Sequence, residues 1–267
     1  SLDWMESKKK TAGLHPQYPQ RRRMKKILIF STAYLPFVGG AEVAVKEITD
    51  RSVGEYEFDL ITARLSRTVP VFERIGAVNV YRIGFGVSII DKLLLPFCGA
   101  WKALTLDRKE HYVCYWAIMA SFGSGAAYVA NLLRFWMRVP VVLTLQEGDS
   151  ESRLTFRWLG LIALSWRLSL ARTTIVTAIS TYLADRARRY GFRGQIEIIP
   201  NGVDIGRFSK RYSEVELNEA KDKLKKKMGD IFLVTTSRLV RKNAVDNVLR
   251  ALPLVPSNVH FVVCGIG

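Results

Sequence analysis

An α/β protein with a doubly wound, mostly parallel sheet is the fold class that this chain predicts. Short apolar runs alternate with helical patterns along most of its 267 residues. Short apolar strands alternating with helices imply a mostly parallel sheet covered on both faces. The apolar fraction of 49% supplies a sizeable core.

In order, strand-like runs lie at Lys26–Ser31, Glu57–Thr62, Asn79–Arg82, Tyr112–Trp116, Val139–Leu145, Thr174–Ile179 and Ile196–Ile199. Helical patterns fall between them at Gly40–Ser52, Ile89–Leu106, Gly125–Met137, Leu154–Leu170 and Thr181–Tyr190. The stretch from Tyr112 to Leu133 carries no charge and is long enough to cross a bilayer. Ser121-Phe122-Gly123-Ser124-Gly125 interrupts it with turn chemistry, so it reads as a buried strand, a turn and a helix. A second unit follows: a helix with Lys221, Lys223 and Lys225-Lys226-Lys227, strand Ile231–Thr236, a helix from Lys242 to Leu252 and strand Val259–Cys264. The expected domains are 25–195, a linker at 196–210, and an incomplete second Rossmann-like unit at 211–267.

Residues 1–24 hold a basic run with no apolar periodicity and read as a disordered tail. A vector scar and an arm for nucleic acid or anionic lipid are both open readings of it. The net charge of +16 favours a polyanionic partner such as a diphosphate, an acidic phospholipid or nucleic acid. No nucleic-acid motif is present, and aromatic residues do not interleave with the basic runs, so nucleic acid ranks last. The basic surplus and the apolar helices Ile89–Leu106 and Leu154–Leu170 point to peripheral docking on an anionic membrane. Cys98, Cys114 and Cys264 sit in apolar runs and read as reduced core thiols of a cytoplasmic protein, not as a metal site.

Four segments carry candidate chemistry. The loop Ser31–Glu42 joins the first strand to the first helix. Gly39 and Gly40 allow close approach of backbone to a ligand at a helix start that suits an anion, and Glu42 follows them; a plain glycine turn is the alternative. The dinucleotide fingerprint is absent there. Gln146, Glu147 and Asp149 follow a strand, where side chains face the crevice that holds substrates. Gln146 can exchange hydrogen bonds with a sugar hydroxyl, and Glu147 or Asp149 can accept a proton; an acidic loop capping the next helix is the bland alternative. Pro200, Asn201, Gly202 and Asp204 form a turn that reads as the hinge between units. Arg238 and Lys242 follow a strand and lead into a helix; a guanidinium fork with a nearby ammonium could hold a diphosphate, or could be a solvated basic turn.

In this order these segments resemble the retaining GT-B glycosyltransferases of the family 4 type. The matching pieces are Val38-Gly39-Gly40-Ala41-Glu42, Ala178-Ile179-Ser180, Pro200-Asn201-Gly202-Val203-Asp204 with Phe208, and Ser237-Arg238-Leu239-Val240 with Lys242. Gly265 and Gly267 match the start of that family's next glycine loop. The resemblance covers residues 25–267. It implies two Rossmann-like domains, with the acceptor held mainly by the first and a UDP- or GDP-sugar by the second. It further implies transfer with retention to a lipid-linked or polysaccharide acceptor, with no metal and no cofactor. In the family, the residues matching Arg238 and Lys242 neutralise the departing diphosphate. Gln146 stands where the family often has His, and Gln cannot act as an acid or base. The family's acidic donor-binding motif would lie beyond Gly267, so the chain is expected to be C-terminally truncated and inactive by itself. A non-catalytic fragment that binds an acceptor or a membrane is the alternative reading.

Overall fold

The computed structural model describes residues 24–134, 137–146 and 161–265. Two compact units divide between Gly202 and Val203.

The first unit is an eight-stranded sheet. Its strands are β1 (Lys25–Phe30), β2 (Tyr56–Ala63), β3 (Phe72–Ile75), β4 (Val78–Ile83), β5 (Cys114–Ile118), β6 (Val141–Leu145), β7 (Ile175–Ala178) and β8 (Gln195–Ile198), in spatial order β3-β4-β2-β1-β5-β6-β7-β8. Every pairing is parallel except β3 with β4. The doubly wound sheet is therefore as expected. The expected linker at 196–210 begins inside the sheet, because Ile196, Glu197 and Ile198 pair with β7.

Helices α1 (Gly40–Arg51), α2 (Ser88–Leu94), α3 (Ala100–Glu110), α4 (Phe122–Leu133), α5 (Leu161–Ala171) and α6 (Thr181–Arg189) connect the strands. The sheet's alternating side chains build two cores. Leu28, Phe30, Ile61, Tyr115, Leu143 and Val176 point into the larger one, with Ala126, Ala130, Trp166 and Leu183 from the helices. Ile29, Leu60, Val80 and Ile118 point the other way and meet Val45 of α1. Period-two alternation assigns each strand residue to its face.

Several boundaries differ from expectation for local reasons. The strand expected at Tyr112–Trp116 runs two residues later. His111 ends α3 in the left-handed conformation (φ 54°), and the Tyr112 hydroxyl donates to the buried Asp59 carboxylate. The helix expected at Gly125–Met137 starts at Phe122, because the Ser121 and Ser124 side chains form a reciprocal capping pair. The helix expected at Ile89–Leu106 is three pieces. A π-helical turn, Leu95–Gly99, separates α2 from α3 and takes up Pro96, which has no N–H to donate. Cys98 on this turn is exposed, as is Cys264, so neither is the core thiol expected; Cys114 is half-buried.

The second unit holds α7 (Ile205–Phe208), α8 (Glu214–Lys223), β9 (Ile231–Thr236), α9 (Val245–Ala251) and β10 (Val259–Cys264). Strands β9 and β10 pair in parallel. Ser213 and Glu216 form a capping box at the start of α8. Among the described residues no helix is long and apolar enough to cross a membrane.

Candidate functional site

Sheet order fixes where a site can be in the first unit. From β1 the chain runs to β2 and β4 on one side and later returns to β5 on the other. Connections leave β1 and β5 in opposite directions, so a crevice opens at their carboxyl ends.

Thr32 and Ser121 meet across this point, 89 residues apart in sequence, with their hydroxyl oxygens 2.9 Å apart. The Thr32 hydroxyl also accepts from the Gly123 N–H at 3.2 Å. Gly123 must be glycine, because a Cβ there would come within 2.8 Å of the Ser31 backbone. Met119, at the end of β5, has φ 61°. Neither Thr32 nor Ser121 was singled out from sequence. The available signal was the Ser-x-x-Ser spacing of 121 and 124, which reads equally well as a turn.

The loop from Ser31 to Gly39 is fastened on both sides. The Ser31 hydroxyl donates to the Ala33 carbonyl at 2.7 Å. Tyr34 is buried in the smaller core, and burial together with the Asp50 charge pushes its phenol up to about 12. Leu35, joined to Pro36 by a cis bond, offers its carbonyl to the buried Arg82 guanidinium at 2.7 Å. Arg82 donates to the Pro70 carbonyl as well, and pairs with Glu73.

Gly39 and Gly40 play different parts. Gly39 is the extended residue before α1, and its carbonyl accepts from the Val43 N–H. The Glu42 carboxylate stands where a Cβ of residue 39 would be. Around Gly40 no atom lies within 4 Å of that position, so the space beside it is open. Glu42 is buried in the first turn of α1. Its negative charge already occupies the positive end of the helix dipole. A second anion there would meet repulsion, whereas a hydroxyl would find an acceptor.

Gln146 follows β6 directly and is half-buried. The three strands beneath it are tied side to side by side chains. The Trp116 indole N–H donates to the Thr144 hydroxyl at 2.8 Å, and Thr144 and Thr177 share a hydrogen bond of 2.7 Å. Glu147 and Asp149 lie outside the described residues.

Asn201 and Gly202 are exposed and end the first unit. Asp204 opens the second as the cap of α7, accepting from the Arg207 N–H at 3.0 Å. In that unit, the carboxyl ends of β9 and β10 approach closely. A Cβ on Gly265 would run into the Ser237 carbonyl oxygen, which accounts for glycine there. Arg238 is exposed, while its carbonyl accepts from the Asn243 side-chain amide at 2.7 Å and from the Val240 N–H at 2.8 Å. Its backbone is thus fixed while its guanidinium faces outward.

Lys242 does not begin a helix as expected. It lies in a 3-10 turn, Arg241–Asn243; Ala244 then takes φ 53°, and α9 starts at Val245. Gly267 lies outside the described residues. Among the described residues no three His, Cys, Asp or Glu side chains gather as a metal site requires.

Comparisons with known proteins agree with this fold. Solved structures with the same fold include sucrose-phosphate synthase from Thermosynechococcus elongatus, at TM-score 0.67 and 14% identity over 90% of this chain and 62% of that one. Anabaena HepE in complex with UDP-glucose matches at TM-score 0.64 and 18% identity, over 91% of this chain and 61% of that one. An α,α-trehalose-phosphate synthase (UDP-forming) from Burkholderia vietnamiensis matches at TM-score 0.55 and 14% identity, over 91% and 65%. The chain therefore spans less than two thirds of the length of each. The shared architecture is GT-B-like. No curated protein matches the sequence. A sequence model of the family described as Glycosyltransferase Family 4 matches residues 38–207, from the glycine loop through every strand of the first sheet after β1 to α7, and the chain belongs to that family.

Proposed function

We propose that a protein carrying this chain transfers a glycosyl group from a nucleotide sugar to a lipid-linked or polysaccharide acceptor at the cytoplasmic face of a membrane. The observation that carries this reading is the family match, which runs from Val38 at the end of the crevice loop to Arg207, past Asn201, Gly202 and Asp204. Anabaena HepE has been solved with UDP-glucose, which supports a UDP-sugar as donor.

In this reading the first unit binds the acceptor. The fastened loop, the open space beside Gly40, the buried Glu42 carboxylate and the Thr32–Ser121 hydroxyl pair suit a ligand rich in hydroxyls. Gln146 orients a hydroxyl and moves no proton, because an amide does not titrate near neutral pH. Glu147 and Asp149 belong to the same segment as hydrogen-bond acceptors. Asn201, Gly202 and Asp204 serve as the hinge.

Arg238 and Lys242 hold the donor diphosphate, with Gly265 and Gly267 opening the next donor loop. The bond from the anomeric carbon to the diphosphate oxygen breaks, and a bond from the same carbon to the acceptor oxygen forms on the same face. The acceptor's proton passes to the diphosphate. Positive charge at Arg238 and Lys242 stabilises the departing group as its charge grows. In this reading the reaction needs no metal.

With a matched donor and acceptor, proton NMR of the early product is expected to show the donor's anomeric configuration, at a rate unchanged by EDTA. An inverted product contradicts retention, and a rate that EDTA abolishes and Mg²⁺ restores contradicts metal independence.

A further inference from the structure

Helix α2, the π-helical turn and α3 form one continuous rod from Ser88 to Glu110. Ile89, Leu93, Phe97 and Trp101 follow at intervals of four and are 71%, 55%, 68% and 68% exposed. On a regular α-helix a step of four overshoots a full turn by about 40°, so three steps drift by about 120°. The wider turn at Leu95–Gly99 closes i to i+5 and takes back part of that drift. The four side chains therefore stay on one outward stripe, while Leu95, Ala100 and Ala103 enter the core.

The stripe is extended by a loop that is not free to move. The buried Asp91 carboxylate accepts from the N–H groups of Phe85, Gly86 and Val87 at 2.8, 2.8 and 2.9 Å. Gly84 and Gly86 have φ 117° and 85°, and a Cβ on Gly84 would overlap Asp91. This fastening presents Phe85 and Val87 to solvent beside Ile89 and Ile90.

Charge on the rod is sorted by sign. Asp91 is spent on the loop, Asp107 is buried and paired with Arg134, and Glu110 is paired with Lys26. Arg108 and Lys109 stay exposed. The outward surface is therefore apolar and basic, with Trp and Phe at its middle. A second copy of a chain of net charge +16 would bring like charge against it. An anionic bilayer supplies both an apolar layer for the stripe and negative headgroups for the basic end.

We propose that the rod Ser88–Glu110, with the Phe85–Val87 loop, is a membrane-docking surface that lies in the headgroup layer of an anionic bilayer. It takes up the membrane location of the preceding proposal. Vesicle binding involves no transfer step, so the two proposals fail separately.

The test is flotation of the intact protein with vesicles of phosphatidylglycerol and phosphatidylcholine, against vesicles of phosphatidylcholine alone. Binding is expected to need phosphatidylglycerol and to fade with added salt. F97S/W101S is expected to lower the partition coefficient at least about tenfold. Replacing Arg108 and Lys109 by Ser is expected to lower it about fivefold per charge. A polarity-sensitive dye on Cys98, in a Cys264→Ser background, is expected to shift to the blue on binding. Wild-type binding by F97S/W101S would overturn the proposal and assign the binding to another basic segment. Absence of binding to acidic vesicles at low salt would also overturn it. A concentration-dependent dimer that F97S/W101S abolishes would give the surface to a second copy instead.

Discussion

Arg238→Ala is expected to lower turnover with a nucleotide-sugar donor by more than it weakens donor binding. Under the proposed mechanism the guanidinium meets a diphosphate that gains charge as the glycosyl bond breaks. A charge-assisted contact of this kind is worth about 1.5–3 kcal/mol in the ground state, or roughly 10- to 150-fold. The electrostatic term grows in the transition state. The local structure makes the substitution clean. Arg238 is exposed, and its backbone is held through its own carbonyl by Asn243 and Val240, bonds that Ala would keep. Stability should therefore stay close to wild type. Steady-state kinetics separate the outcomes: a fall in kcat larger than the rise in donor Kd supports the assignment, and unchanged kinetics remove Arg238 from the donor site.

Asp91→Ala is expected to destabilise the first unit by about 3 kcal/mol or more. Three backbone N–H groups donate to one fully buried carboxylate, and each such bond is worth about 1.5–3 kcal/mol without full additivity. For a domain of this size the loss corresponds to a fall in Tm of roughly 6–12 °C. Asp91→Asn keeps one acceptor oxygen and should lose less. The same change frees the Phe85–Val87 loop, so vesicle binding should weaken below the melting temperature as well. Calorimetry showing a Tm within a degree of wild type would mean that the loop is held by something other than Asp91.

The parallel sheet was legible because its central strands hold apolar runs such as Ile27-Leu28-Ile29-Phe30 and Val141-Val142-Leu143, with helical patterns between them. Strand β3 was not. Phe72-Glu73-Arg74-Ile75 lies at the sheet's edge, alternates exposed with half-buried residues, and carries two charges, as an edge strand can. The glycine loop was legible as the connection from the first strand to the first helix, but the different surroundings of Gly39 and Gly40 were not. They depend on where the Glu42 side chain turns.

Charges were the hardest part to read. Asp59 and Arg82 are buried and satisfied by groups that the fold brings close, Tyr112 and Asn79 for the first and the Leu35 and Pro70 carbonyls for the second, while the buried Asp91 is satisfied locally by the Phe85–Val87 amides just before it. Thr32 and Ser121 belong with Asp59 and Arg82. Their spacing of 89 residues carries no local signal. Ser121 and Ser124 show the converse, since one Ser-x-x-Ser spacing serves both a turn and a helix cap, and only the strand before it decides.

The proposed transfer is tested most directly with a panel of UDP- and GDP-sugars, offered to the full-length protein that carries this chain together with a membrane lipid and polysaccharide extract. Release of nucleoside diphosphate and labelling of the extract are followed in parallel. One donor is expected to be consumed in step with the appearance of a glycosylated product, with both signals reduced by Arg238→Ala. Failure of every nucleotide sugar to bind or react with the folded protein would contradict the glycosyltransferase reading.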